Sequence, residues 1–397
     1  MRILFCNYEY PPLGGGGGVV MAALARHLAR RHQVTVLTSQ GPGLAAREED
    51  QGVEVLRVPV FFRRDLAVAN FPSMLAYLPS GFLRGVGLRN SHRFDVVNTH
   101  FAVPSGPLGH MLAKIYRVPN VLSVHGGDLF DPSKKSSPHR HAMFRSAVRW
   151  LLRSADAVVA QSRDTARHVD SLYGVKRHVE LIPLGIERPP PVRNANRSSF
   201  GLPDDAFTLV TIGRLVARKA TAQLLEVLQD PRMSKAHLLV VGDGPEGLEL
   251  HRLSENPALR HRVHWLGAVS DQAKQAALAV SDVFVSASQH EGFGLVFLEA
   301  MAAGLPVVCY NRGGQVDFLS SGETGYVIGL NERAALTQAL VDLQADAALR
   351  GRLGAENRSR VVQFYIDTCA ERYEALFTET IERARRERTG MVRLTSP

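Results

Sequence analysis

The sequence predicts an α/β protein made of two parallel-sheet lobes, and three observations lead there. Short β-branched runs alternate with helical patterns along the chain, one proline- and arginine-rich stretch interrupts the alternation, and the alternation then restarts. The first lobe opens with RILFCN, the helical VVMAALARHLARR and then QVTVLT. It continues through strand candidates VEVLRV (53–58), FDVVNT (94–99), NVLSV (120–124), DAVVAQ (156–161) and VELIP (179–183). The interruption, IERPPPVRNANRSSF (186–200), has no periodicity and reads as a linker. It sets the expected domains at 1–188 and 201–362, with 189–200 between them. The second lobe reads FTLVTIG, HLLVVG, RVHWLG, DVFVSA, PVVCY and TGYVI. A closing amphipathic helix, about 363–386, can pack on either lobe, including back onto the first.

The 397 residues are 45% hydrophobic, enough to bury large cores. A net charge of +9 points to phosphate-bearing partners: nucleic acid, an anionic membrane or a phosphorylated small molecule. The basic residues are scattered rather than clustered with aromatics, so nucleic acid ranks last and is not expected as a partner. Cys6, Cys309 and Cys369 lie far apart, which fits reduced, packed thiols. The opening apolar run stops at Asn7, short of a secretory signal, and no stretch is long enough to span a bilayer. A cytoplasmic location is expected, extending to a peripheral one on the inner face of the plasma membrane.

The stretch PPLGGGGGVV places Gly14 to Gly18 between the first strand and the first helix. Strand, glycine turn and helix together aim backbone N–H groups at a phosphate. A dinucleotide fingerprint fails in every frame, because Val19, Val20 and Met21 stand where the last glycine is required. Nor is there an Asp or Glu between Tyr10 and Arg47 to hold a ribose. A nicotinamide cofactor is therefore disfavoured in this half, and no P-loop sequence exists.

The strongest local signal is QHEGFGLVFLEAMAAGLPVVCY (289–310). After a strand, Gly292-Phe293-Gly294 opens a helix that stops at Gly304. An anion at such a helix start is stabilised by free N–H groups. Glu299 shares a helix face with Leu295, Val296, Ala302 and Ala303, so its carboxylate needs a partner. A structural salt bridge and a ligand-binding role are both open on these residues alone. VTIGRLVARKA places Arg214 and Lys219 after a strand, where they can present two cations to a diphosphate. VVGDGPEG ends another strand in a glycine turn at the same sheet edge.

Together these stretches resemble the retaining, GT-B-fold glycosyltransferases of family 4, the group 1 type. The resemblance runs from YEYPPLGGG through SVHGGD, LIPLGIE, IGRLVARKA, VVGDGPE and HEGFGLVFLEAMAAGLPVV to GGQVDFLSSGETGYVI. It implies two Rossmann-like domains facing an interdomain cleft and a UDP- or GDP-linked sugar as co-substrate, with no permanently bound cofactor. Arg214 and Lys219 should neutralise the donor diphosphate, Glu299 should hold the ribose, and Glu291 the hydroxyls of the transferred sugar. Backbone at Phe293, Gly294 and Leu295 should cradle phosphate and sugar, with Gly213 and Gly242 lining the donor site. Gly15 and Gly16 match the family's N-terminal glycine pair. His125 matches the histidine near the sugar's 6-position, and Asp128 would help position donor or acceptor.

Two departures stand out. Arg218-Lys219-Ala220 replaces the family's Glu-Lys-Gly, and Asp317 stands where a later glutamate is usual. There is no Asp-x-Asp, so no metal site is expected and side-chain cations would stabilise the leaving diphosphate. The implied reaction transfers a hexose with retention, without a protein nucleophile, to a glycan or glycolipid hydroxyl in cell-surface polysaccharide or glycolipid synthesis. An epimerase, or a catalytically silent relative that binds sugar nucleotides, are the alternatives on the same fold. The acceptor side should lie in the first lobe. There, FFRRDLAVANFPSMLAYLPSGFL (61–83) and the helix carrying Arg145, Arg149 and Arg153 could grip an anionic bilayer, or be an ordinary solvated face.

Overall fold

The computed structural model describes residues 1–63, 66, 70–133, 137–192 and 195–394. The chain divides into two compact units: Met1–Glu187 together with the residues from Tyr365 onward, and Arg188–Phe364.

The first unit runs β1 (Arg2–Cys6), α1 (Gly16–Ala29), β2 (Gln33–Ser39), β3 (Arg47–Asp50), β4 (Val53–Val58) and α2 (Phe71–Gly87). It continues with β5 (Val96–His100), α3 (Ser105–Tyr116), β6 (Asn120–Val124), α4 (Ala142–Ser154), β7 (Ala157–Ala160), α5 (Arg163–Ser171) and β8 (Glu180–Leu181). Its sheet order is β3-β4-β2-β1-β5-β6-β7-β8. All neighbours are parallel except β3, which pairs antiparallel with β4. Leu4, Phe5, Val36, Val97 and Leu122 are buried, as continuous apolar strands between helical layers require. Two expectations need correction. VELIP contributes only the two-residue β8, and the polar REED of β3 forms an edge strand that hydrophobic patterning did not reveal.

The second unit runs β9 (Phe207–Ile212), α6 (Ala222–Leu228), β10 (Ala236–Val241), α7 (Gly247–Ser254), β11 (Val263–Gly267), α8 (Asp271–Ala279) and β12 (Val283–Ser286). Then come α9 (Leu295–Ala303), β13 (Val307–Tyr310), β14 (Gly325–Ile328), α10 (Arg333–Ala345) and α11 (Ala347–Arg360). Its all-parallel order is β11-β10-β9-β12-β13-β14. Strand order reverses between β9 and β12 here, and between β1 and β5 in the first unit. In open α/β sheets, ligands bind outside the carboxyl ends of strands at such a reversal.

The closing helix, α12 (Ile366–Leu394), begins later and extends further than the sequence suggested. Ile366, Cys369, Ala370, Tyr373, Leu376, Phe377 and Ile381 recur every three or four residues, and they join the first unit's core with Met21, Leu24 and Leu28 of α1. Arg383 donates to the Asp156 carbonyl at 2.9 Å. The three cysteines are buried free thiols.

Candidate active site

A candidate donor site in the second unit is built on the loops that follow β9, β10, β12 and β13. Gly213 donates to the Val241 carbonyl at 2.9 Å and Leu215 to that of Asp243 at 3.0 Å, so the β9 and β10 loops lie backbone to backbone. A Cβ on Gly242 would sit 2.0 Å from the Gly213 oxygen. Lys219, in the one-turn helix after β9, passes over Gly213, its Nζ 3.4 Å from where a Cβ would be.

Glu291 lies in the loop after β12, 6% exposed. Lys219 Nζ contacts its Oε1, and Arg218 Nη1 lies 3.3 Å from its Oε2 while also donating to the His290 carbonyl. Burial alone would raise this carboxyl, but the two cations overcome it and hold it at about 2. Arg218 therefore belongs to the site although the sequence marked it only as a departure. The loop's backbone is pinned by Gly314, which donates to the Glu291 carbonyl at 2.8 Å. Gly313 takes φ +115°, and a Cβ there would be 1.9 Å from the Glu291 oxygen, so no other residue fits without moving the loop. Asp317 is exposed on the short helical turn that follows.

Gly294, in the left-handed region at φ +94°, caps α9, and no side chain closes that helix start. Its N–H groups are thus available to an anion. The Phe293 ring is buried 5.1 Å from that of Phe318, leaving backbone as that residue's contribution to the site, and Leu295 is half-buried. Arg214 is exposed and makes no ion pair among the described residues. Glu299 meets Lys274 of α8 at 2.9 Å, and Lys274 also meets Asp271 at 2.9 Å. The salt bridge that burial demanded is present, yet Glu299 Oε2 is buried with no protein donor among the described residues. Burial raises this carboxyl against the opposing pull of Lys274. No sequence pattern identifies Lys274 as its partner.

In the first unit, α1 starts at the glycine run with Gly15 as an uncapped N-cap, and Gly15 and Gly16 are exposed. Glu9 Oε2 accepts from the Gly15 N–H at 3.3 Å. Gly17 faces Phe101, whose ring would be 2.3 Å from an added Cβ. Phe101 itself has φ +69° and stacks on His125 with ring centroids 4.3 Å apart. The extra glycines thus answer to packing as well as to ligand approach. His125, after β6, is bonded to His100 at 2.9 Å, and burial pushes its imidazole down to about 4. Asp128 brackets two loops, accepting from the Ala102 N–H at 2.6 Å and the His125 N–H at 2.9 Å. Burial pushes it up to about 6 against those N–H groups. Through these two bonds Asp128 ties the loops after β5 and β6 together.

The class these two units define is that of GT-B proteins. Sucrose-phosphate synthase from Thermosynechococcus elongatus shares the fold at TM-score 0.82 and 23% identity, over 95% of this chain and 98% of that one. The Anabaena protein HepE, solved in complex with UDP-glucose, shares it at TM-score 0.75 and 20% identity, over 96% and 99%. Among relatives of known name, a GDP-mannose-dependent phosphatidylinositol monomannoside mannosyltransferase of Mycolicibacterium smegmatis is 27% identical, over 90% of this chain and 92% of its own. Residues 14–188 match Glycosyltransferase Family 4 and residues 192–360 match Glycosyl transferases group 1. This chain belongs to that family and is a glycosyltransferase.

Proposed function

We propose that the protein transfers a hexose, with retention, from a UDP- or GDP-linked donor to a hydroxyl of a glycan or glycolipid acceptor. One observation carries the reading: half-buried Lys219 and Arg218 surround the buried carboxylate of Glu291 at the strand-order reversal, beside an uncapped helix start. Two cations around one carboxylate leave positive charge for a diphosphate, and exposed Arg214 adds more. Such charge, fixed before reaction, stabilises a departing diphosphate without reorganisation. Glu299 Oε2 supplies an acceptor for ribose hydroxyls, and Gly294 and Leu295 supply backbone donors. Within the first unit, His125 and the open helix start at Gly15 and Gly16 are the candidate ligand-facing groups. The acceptor hydroxyl attacks the anomeric carbon on the face the leaving group vacates, the bond from that carbon to the diphosphate oxygen breaks, and the departing diphosphate takes the hydroxyl proton. Glu291, its charge balanced by Lys219 and Arg218, orients the sugar's hydroxyls through its remaining lone pairs and forms no covalent bond to it.

Exposed Phe61, Phe62, Phe71, Leu75 and Leu83, with Met143 and Trp150 of α4, give the first unit an apolar surface. Arg145 and Arg153 are exposed on α4, Arg153 also donating to the Gly174 carbonyl at 3.4 Å, and half-buried Arg149 donates to the Tyr173 carbonyl. Within 61–83, residues 64, 65 and 67–69 lie outside the described residues. Apolar and cationic groups together fit an anionic bilayer, where lipid-linked acceptors reside. Among the described residues no helix is long and apolar enough to cross a membrane. Salt-sensitive flotation with anionic liposomes supports this contact, and equal recovery with neutral liposomes contradicts it.

A thermal-shift panel of nucleoside diphosphate sugars tests the main reading, since a ligand of the folded state raises the midpoint by mass action. The donor should raise it, and the product's anomeric configuration should match the donor's. A flat panel, or an inverted product, overturns the proposal.

A further inference from the structure

His125 is the end of a hydrogen-bonded chain that begins inside the first unit's core. The Val121 carbonyl can only accept, and the amide Nδ2 of Asn98 lies 3.0 Å from it, which fixes how that amide points. The same Nδ2 donates to Ser123 Oγ at 3.0 Å, and Ser123 Oγ also accepts from the Tyr373 hydroxyl of α12 at 3.0 Å. Asn98 therefore turns its oxygen to His100 Nε2, 2.7 Å away, and that nitrogen must carry a proton.

His100 is 1% exposed, and burial drives its imidazole well below the ordinary range, so the ring is neutral. With its proton on Nε2, its Nδ1 can only accept. His125 Nε2 lies 2.9 Å from it and must donate. His125 Nδ1 is then an acceptor, and it is buried with no protein donor in reach among the described residues. Phe101 stacked on one face of the ring removes its remaining freedom. Each assignment follows from the one before it, starting from a backbone carbonyl.

We propose that Asn98 and His100, anchored by Val121, Ser123 and Tyr373, are positioning residues that fix His125 as its Nε2–H tautomer and so make its Nδ1 an acceptor for a sugar hydroxyl. The use of that acceptor rests on the donor-site reading above; the tautomer itself does not. A ring fixed this way accepts a hydroxyl proton in a hydrogen bond and repels an anion, which suits the sugar rather than the diphosphate.

The test is two-bond proton–nitrogen correlation on protein carrying nitrogen-15 histidine, at neutral pH, with His125 assigned by the signals lost in His125→Gln. The wild type should show a protonated Nε2 and a bare Nδ1 at His125. His100→Leu should give mixed tautomers and lower kcat about tenfold with KM little changed, a part of what acid–base groups contribute. His100→Asn keeps an acceptor near the former Nδ1 and should restore both. A proton on Nδ1 in the wild type overturns the proposal even where His100→Leu does not fold, and so does an unchanged His125 signal in His100→Leu. The predicted tautomer in a protein that binds no nucleotide sugar supports the relay and removes the donor-site reading instead.

Discussion

Glu291 is buried, ionised and held by two cations, and that arrangement makes its titration visible in stability. Its folded value of about 2 lies below its ordinary 4.5, so the unfolded chain binds the proton more readily. The stabilisation is full above the unfolded value and is lost as pH falls from there towards about 2. Melting midpoints followed from pH 6 to pH 3 should therefore fall more steeply for the wild type than for Glu291→Gln, and parallel curves would contradict the pairing. Gly15 offers a cleaner separation of fold from function. Among the described residues nothing lies within 4 Å of a Cβ there, and φ −120° suits any residue. Gly15→Ala should leave the melting temperature within a degree or two while weakening donor use markedly. If activity survives unchanged, ligand backbone does not approach that glycine. The sequence exposed Glu291, Glu299 and Lys219 because their spacing is local. It hid Lys274 and His100 because a partner brought from another strand or helix leaves no periodic trace.

At the scale of elements, the site depends on loops pressed together at sheet ends. Gly313 meets the Glu291 backbone, and Gly17 meets the Phe101 ring. Gly313→Ala would force φ +115° on a residue with a Cβ and push it into a carbonyl, so a loss of more than about 2 kcal/mol is expected from strain and displacement. Urea unfolding measures it, and a loss below half that would show that the loop yields. Gly17→Ala should shift Phe101 off His125, which a changed His125 signal would report. Alternation of strands and helices made nearly every parallel strand legible in the sequence. The β3 edge escaped because REED has no apolar face to show, and VELIP misled because an apolar run beside a sheet need not pair along its whole length.

Over the whole chain, α12 is what makes the first unit more than its first 187 residues. Its apolar stripe completes the core around α1, and Tyr373 reaches Ser123. Chains ending before Ile366 should expose that core and precipitate or melt far below the full protein, while a native-like melt would show the helix to be dispensable. The stripe's spacing was legible in residues 366–381 but its destination was not, since either lobe could have received it.

In the reading proposed above, side-chain cations, with Lys219 foremost, hold the donor diphosphate. Calorimetric titration of UDP and GDP in the presence of a chelator tests it most directly. Binding by one of them should persist without divalent metal and weaken at least tenfold in Lys219→Ala. Binding that vanishes with chelator and returns with magnesium, or that Lys219→Ala leaves untouched, would contradict it.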